Sequence, residues 1–412
     1  MNTGTAAFDG VVMGRRAAPS PAVNQAPLAA ALAAVACLTW YLGSAIAWRQ
    51  GALFLVGVAA GVALYHASFG FTSAWRALVA EGRGAGLRAQ ILMLGVTCAV
   101  FYPVLAQGRF MGQAVRGSVA PVGVPVVVGA FLFGVGMQLG GACASGTLYT
   151  AGGGSLRMFV TLASFIAGSV IGVKQAPLWE HAPTWRPISL VATFGAWTAL
   201  GMTLAAFAAL AWASMAIERW RRGAIEPVLA TKVRARPVAG PWPLAAGAVA
   251  LAVVNVATLA LAGRPWGVTS AFALWGSKAL AAAGVGVAAW PYWQPAAQAA
   301  ALRGSVASDV TSVMDVGIML GALAAAGLAG RFAPTWRVPL RSLVAAMIGG
   351  LLLGYGARLA YGCNIGAYFS GIVSGSLHGW LWLVCAFAGN VLGTKLRPLF
   401  GLEVERVKNT GC

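Results

Sequence analysis

Two cysteines stand in the parts of this chain least suited to a helix. Cys143 lies in "GGACASGTLYTAGGGS" and Cys363 in "YGCNIGAYFSGI". Gly141 and Gly362 precede them, and Ser145 and Asn364 follow. A thiol is soft and polarizable, a weak S–H donor and a weak acceptor. It suits a soft, sulfur-bearing partner better than sulfate or phosphate, which Ser, Asn or Arg would bind better. Glycine lets the backbone turn with positive φ and approach a ligand closely. A helix starting just after such a turn offers free N–H groups and a positive dipole end, which attract anions. An anion reaching this place meets either a neutral S–H that donates to it or a thiolate that reacts with it. The residue types leave both open.

The remaining cysteines carry less. Cys37, Cys98 and Cys385 lie inside apolar runs, where cysteine is usually a small buried hydrophobe. No CxxC and no metal-ligand spacing occurs. Nor is there a nucleotide motif or a catalytic triad. No cofactor and no enzymatic activity is expected.

The elements that position these thiols are dictated by composition. Of 412 residues, 59% are hydrophobic and 9% charged, against about a quarter charged in soluble domains. A hydrocarbon core of about 30 Å needs about 20 apolar residues per helix. Runs of that kind fall at 27–47, 51–66, 88–106, 122–139, 157–174, 189–216, 243–263, 306–330, 340–358 and 378–395. The expected class is an all-α polytopic membrane protein embedded in a lipid bilayer. The net charge of +19 lies in short segments between the runs, where it orients a membrane protein and predicts no nucleic-acid partner. Arg15, Arg16 and the "AIA" at Ala45–Ala47 mimic a cleavable signal. The stretch after the arginines is too polar for one, so Pro27–Ala47 reads as a retained first helix.

The chain also repeats itself. "GVGMQLGGACASG" (Gly134–Gly146) lies over "GYGARLAYGCNIG" (Gly354–Gly366), cysteine on cysteine. "AGSVIGVKQAP" (Ala167–Pro177) lies over "AGNVLGTKLRP" (Ala388–Pro398), and "FGFTSAW" (Phe69–Trp75) over "WGVTSAF" (Trp266–Phe272). Basic segments mark the cytoplasmic side. The linker "ERWRRGAIEPVLATKVRARP" is the most basic, which puts both tails inside. Each repeat then holds about five spans, and the second starts from the opposite side: an inverted repeat. The expected organisation is a cytosolic tail over 1–26, repeat 1 over 27–178, repeat 2 over 189–398 with the basic linker 217–242 included, and a cytosolic tail over 399–412. In segment 264–305 a half-helix followed by an interfacial stretch anchored by Trp290, Tyr292 and Trp293 is preferred to another span.

The repeated motifs fall near 68–80, 141–152, 268–282 and 361–372, each too short to cross. They are expected to be four re-entrant half-helices, because irregular backbone at membrane depth must be buried in protein or line a cavity. Gly70 and Thr72 belong to the first and Thr269 to the third. Arg358, five residues before Cys363, is a charge within a span and hence a functional candidate; Gln138 takes the matching place before Cys143. Asp309 and Asp315 are the acids of a span, expected to pair with Arg358 rather than carry protons. Lys174 and Lys395 read as snorkelling anchors, and Lys278 as a residue of a vestibule. His66 and His378 read as structural, and Tyr149 and Phe369 as packing residues.

The two cysteine segments resemble the signature segments of the YeeE/YedE sulfur-transport membrane proteins, over about residues 50 to 395. The resemblance implies uptake of a small sulfur-containing anion, thiosulfate above all, through half-helices that meet in an hourglass, with Cys143 and Cys363 contacting the anion. It implies the bacterial inner membrane and leaves a cytosolic sulfur-accepting protein as a further partner. A different class, a membrane sulfur relay in which a cysteine carries a persulfide, stays as the rival. One departure stands out. Where that family has an Arg-Phe-Cys-x-Thr-Gly pattern, this chain has "SFGFTSAWR", with Gly70 in place of the cysteine. A selenium compound or sulfite therefore stays among the candidate substrates.

Overall fold

The computed structural model describes residues 22–229, 238–332, 334 and 337–404. Arg15, Arg16, the centre of the basic linker (230–237), Arg406, Lys408 and Cys412 lie outside the described residues. Helix α1 (Gln25–Tyr41) runs into a π turn (Leu42–Ile46) and is followed by α2 (Trp48–Ala67), the short α3 (Phe71–Glu81) and α4 (Ala85–Gln107). Then come α5 (Val124–Gly140), the short α6 (Ala144–Gly152), α7 (Leu156–Lys174), α8 (Leu190–Phe194) and α9 (Ala196–Arg222). The second half opens with α10 (Leu244–Ala262), α11 (Thr269–Ala282) and α12 (Ala296–Arg303), then α13 (Val310–Leu328) and α14 (Leu340–Leu359). A π turn (Asn364–Phe369) leads into α15 (Ser370–Val373), and α16 (Leu377–Leu396) follows. Two antiparallel ribbons, Arg109–Phe110 with Gln113–Ala114 and Val122–Gly123 with Thr184–Trp185, tie loops together.

Ten helical stretches of the described residues are long and apolar enough to cross a membrane. Between Ala262 and Val310 lie only α11, α12 and short 3-10 turns at Val287–Ala289, Pro291–Trp293 and Val306–Ser308.

The packing is reciprocal between the halves. Helix α2 lies on α13 and α10 on α4; α7 lies on α14 and α16 on α5; α3 meets α16 and α11 meets α7. The α2–α13 contact shows why so many glycines sit in the spans. Gly57 and Gly61 face the backbone of Met314 and Ile318, while Gly317 and Gly321 face that of Phe54 and Val58. With lipid as apolar as leucine, close backbone approach over small residues is what holds such helices together. Most glycines outside the short helices thus pack rather than bind.

The short helices start where the backbone turns sharply. Ser68 takes a left-handed conformation before α3, as do Gly141 (φ 91°) before α6, and Tyr361 (φ 57°) and Gly362 (φ 148°) before the π turn. The last of the four differs from a regular half-helix. The carbonyl of Cys363 accepts from the N–H groups of both Ala367 (2.8 Å) and Tyr368 (3.3 Å), which widens its first turn.

Candidate functional site

Cys143 and Cys363 each occupy the position just ahead of a short helix, and both are buried in one cluster at the centre of the molecule. The Cys143 thiol accepts from the Gly146 N–H at 3.4 Å and lies 3.6 Å from the Ser145 hydroxyl. Cys363 leads into the π turn without a side-chain capping bond. Two thiols therefore stand at the starts of two short helical segments that meet at the centre, a setting of the kind an anion needs.

Beside Cys363, Asn364 is fully buried and neither its Nδ2 nor its Oδ1 has a hydrogen-bond partner among the described residues. The hydroxyl of buried Thr72 is likewise without one. Buried polar groups are normally satisfied, so an amide and a hydroxyl left open beside the thiols are places for a polar guest. Around them lies an aromatic shell: Tyr368 packs on Phe71, Trp75 and Trp382 with ring centroids 5.9–6.2 Å apart.

Cavities approach this centre from both ends of α4 and α10. One, of about 630 Å³, is lined by Thr269, Ser270, Tyr292, Arg358, Gly362 and Gly366, with Arg116, Arg264 and Glu180 further out. Arg358 donates to the hydroxyls of Thr269 (2.8 Å) and Tyr292 (3.2 Å), and its Nε has no partner. Burial lowers the affinity of Arg264 for its proton from the usual value, and Arg116 adds to this while Asp309 opposes it. A desolvated cation of this kind gains from any anion brought near. The other cavity, of about 240 Å³, is lined by Gly70, Ser73, Gln90, Arg83 and Glu226, among others. Arg83 and Glu226 form a two-pronged ion pair at 2.9 and 3.1 Å across it. Neither thiol lines either cavity.

Several sequence expectations change here. Arg358 makes no ion pair with Asp309 or Asp315. Asp309 instead caps α13 through the Ser312 N–H (2.8 Å) and hydroxyl (2.6 Å), and Asp315 is buried with both oxygens unpartnered. Lys278 does not line the vestibule; its ammonium holds the carbonyls of Leu302 and Gly304 at the end of α12. Gln138 is no counterpart of Arg358. Its amide donates to the Thr72 carbonyl (3.1 Å) and to Asn390 Oδ1, bracing α5 against α3 and α16. Gly70 has an ordinary extended φ of −113°, and a side chain there would meet Ser73 and the Tyr149 hydroxyl. His378 shares a hydrogen bond of 2.6 Å with Ser376, and His66 packs against Trp242. Arg116 and Arg264 were missed; the signal was the "RPWG" that places Arg264 directly ahead of a half-helix motif.

The family model for sulphur transport matches residues 66–392, which takes in every short helix and both thiols. The chain belongs to the sulphur transport family. Curated relatives include the probable transporter YedE of Escherichia coli strain K12, 31% identical over 169 residues, and the thiosulfate transporter TsuA of Spirochaeta thermophila, 27% identical over 350 residues. The first match spans 40% of this chain and 41% of YedE; the second spans 82% of this chain and 95% of TsuA. A sulphur transport family member whose described residues hold ten helices long and apolar enough to span a bilayer is a multi-pass membrane protein.

Proposed function

We propose that the chain carries a small sulfur-containing anion, with thiosulfate as the first choice, into the cytoplasm across the inner membrane. The anion enters the cavity of Arg358, passes Cys363 and then Cys143, and leaves through the cavity of Gly70. The observation that carries this reading is the pair of buried thiols at the starts of two short helical segments that meet, with a cavity lined by Gly362 and Gly366 on one side and one lined by Gly70 on the other. Neutral thiols there donate to a soft sulfur, while backbone N–H groups and the open Asn364 amide serve the oxyanion end. In this reading the aromatic shell closes the route at the thiols, and one side opens at a time.

The reciprocal packing of the two halves supports repeats of inverted direction, over 27–178 and 189–398, with α3, α6, α11 and the π turn with α15 as re-entrant segments. Both tails and the basic linker are then cytoplasmic, and a cytosolic sulfur-accepting protein would receive the cargo there. The name of TsuA supports thiosulfate over sulfite or a selenium compound. Gly70, in place of a third thiol, leaves the selection of sulfur to Cys143 and Cys363.

Entry of one negative charge against 100 mV costs about 2.3 kcal/mol, and of a dianion roughly twice that. The test is uptake by the purified protein in liposomes, with labelled thiosulfate, sulfate, sulfite and selenite compared side by side. Thiosulfate should enter fastest. Entry of sulfate at the same rate contradicts recognition of a soft sulfur. A cysteine persulfide formed in proportion to protein, without uptake, would favour the relay instead.

A further inference from the structure

Asp315 has no place in the route as described, yet its position is among the costliest in the molecule. It lies in the second turn of α13, is fully buried, and neither carboxylate oxygen has a hydrogen-bond partner among the described residues. An isolated charged carboxylate is expensive in such surroundings. Ionisable groups at membrane depth mark ion or proton pathways.

Two relationships connect Asp315 to the anion's route. One turn earlier on the same face of α13, the Thr311 hydroxyl is bonded to Arg264 (3.0 Å) and Ser270 (3.0 Å). Both of those residues line the larger cavity. Helix α13 also packs against α6, the short helix that Cys143 caps. The carboxyl thus lies one helical turn from the hydroxyl that joins two lining residues of the cavity, on a helix packed against the thiol-bearing α6.

Few charges compete for it. Asp309, at the start of the same helix, is committed to Ser312. From α11, Lys278 is held by the Leu302 and Gly304 carbonyls. Helix α6 brings Cys143 and Tyr149, α1 brings Cys37 and Tyr41, and α2 brings Arg49 near its start and Tyr65 and His66 near its end. None of these is hydrogen-bonded to Asp315. No group of three or more His, Cys, Asp or Glu side chains surrounds it among the described residues, so the position fits a proton better than a metal cation.

We propose that Asp315 is the proton-carrying residue that couples anion entry to a proton gradient, an inference that rests on the transport reading above. A proton arrives from the larger cavity past Thr311 and is held on the carboxyl while the anion settles at Cys363. When the route opens inward, the proton leaves with the anion, and the carboxylate must be reprotonated from outside before the next cycle. One proton per thiosulfate lowers the charge moved from two negative to one.

The experiment uses the full chain in liposomes loaded with a fluorescent pH indicator, with labelled thiosulfate outside. In the wild type, addition of thiosulfate should acidify the lumen, and an inward proton gradient should raise accumulation at least tenfold. Asp315→Asn should lose both responses while still exchanging labelled for unlabelled thiosulfate. Asp315→Glu keeps an acid and should keep the acidification, with a displaced pH profile of uptake. Thiosulfate entry without acidification in the wild type overturns the proposal but leaves transport standing. Gradient-driven accumulation by Asp315→Asn at the wild-type level overturns it as well. So does a pH profile of Asp315→Glu identical to that of the wild type, or stimulation by a sodium gradient alone at constant pH. If no label enters the wild-type liposomes under any gradient, the transport reading itself fails, and the proposal with it.

Discussion

Arg358 Nη2 donates to the hydroxyl of Thr269 at 2.8 Å, joining the last turn of α14 to the first turn of α11. Residues nearly ninety positions apart thus share the floor of the larger cavity. One guanidinium both ties two elements together and presents an unpartnered Nε at the entrance. Hydrogen bonds to charged groups contribute about 1.5–3 kcal/mol, and each 1.4 kcal/mol is a factor of about ten. Arg358→Gln should therefore raise the KM for thiosulfate roughly tenfold or more, with a smaller effect on the maximal rate. Arg358→Lys, which keeps the charge but not the planar fork, should fall between. Initial rates of uptake over a range of thiosulfate concentrations check this.

Asn364 separates a binding role from a packing role. Its buried amide has no partner, so the folded protein already bears the cost of desolvating it, about 1–3 kcal/mol. Asn364→Leu should leave thermal stability in detergent unchanged or raised, and should abolish most uptake. A loss of stability without loss of uptake would make Asn364 a packing residue.

Gly362 has a φ of 148°, and an added Cβ would lie 2.8 Å from the Ala367 nitrogen. A conformation reserved for glycine costs other residues about 1–3 kcal/mol. Gly362→Ala should weaken every transported anion by a similar factor, because it displaces the backbone that all of them meet. Competition of several anions against labelled thiosulfate measures it.

Sidedness has its own test. In a chain with its accessible cysteines replaced, a membrane-impermeant thiol reagent added to the periplasmic face should label Trp185→Cys, beside the larger cavity, and miss Ile225→Cys in the described part of the linker. Both positions are exposed. The reverse pattern would invert the direction of transport proposed here.

Much of the architecture was legible because it rests on local rules. Apolar runs of spanning length and breaks at glycine are properties of short stretches, and they place the spans and the four short helices. Resemblance added the family. Partnerships between distant side chains were less accessible. Alignment of the repeats put Gln138 and Arg358 at matching positions, but near Gln138 stand the Thr72 carbonyl and Asn390, and near Arg358 an open cavity. An acid and a base, Asp315 and Arg358 do not meet: Asp315 is buried in α13 without a hydrogen-bond partner, and Arg358 is held by Thr269. The π turn after Cys363 was equally hidden, since its sequence differs little from that of a regular helical turn.

The central claim is that two thiols recognise sulfur along one route, and substitution of each cysteine in liposomes tests it most directly. Cys363→Ser and Cys143→Ser keep a small polar donor but lose the polarizable sulfur. Cys98→Ser, buried away from either cavity, is the control for ordinary packing. Uptake of labelled thiosulfate and of labelled sulfate should be measured for each variant at equal amounts of folded protein. The account predicts that the first two variants lose thiosulfate uptake far more than any sulfate uptake, while Cys98→Ser changes neither selectively. Equal loss of thiosulfate uptake in all three variants, or an equal fall for both anions in Cys363→Ser, would contradict it.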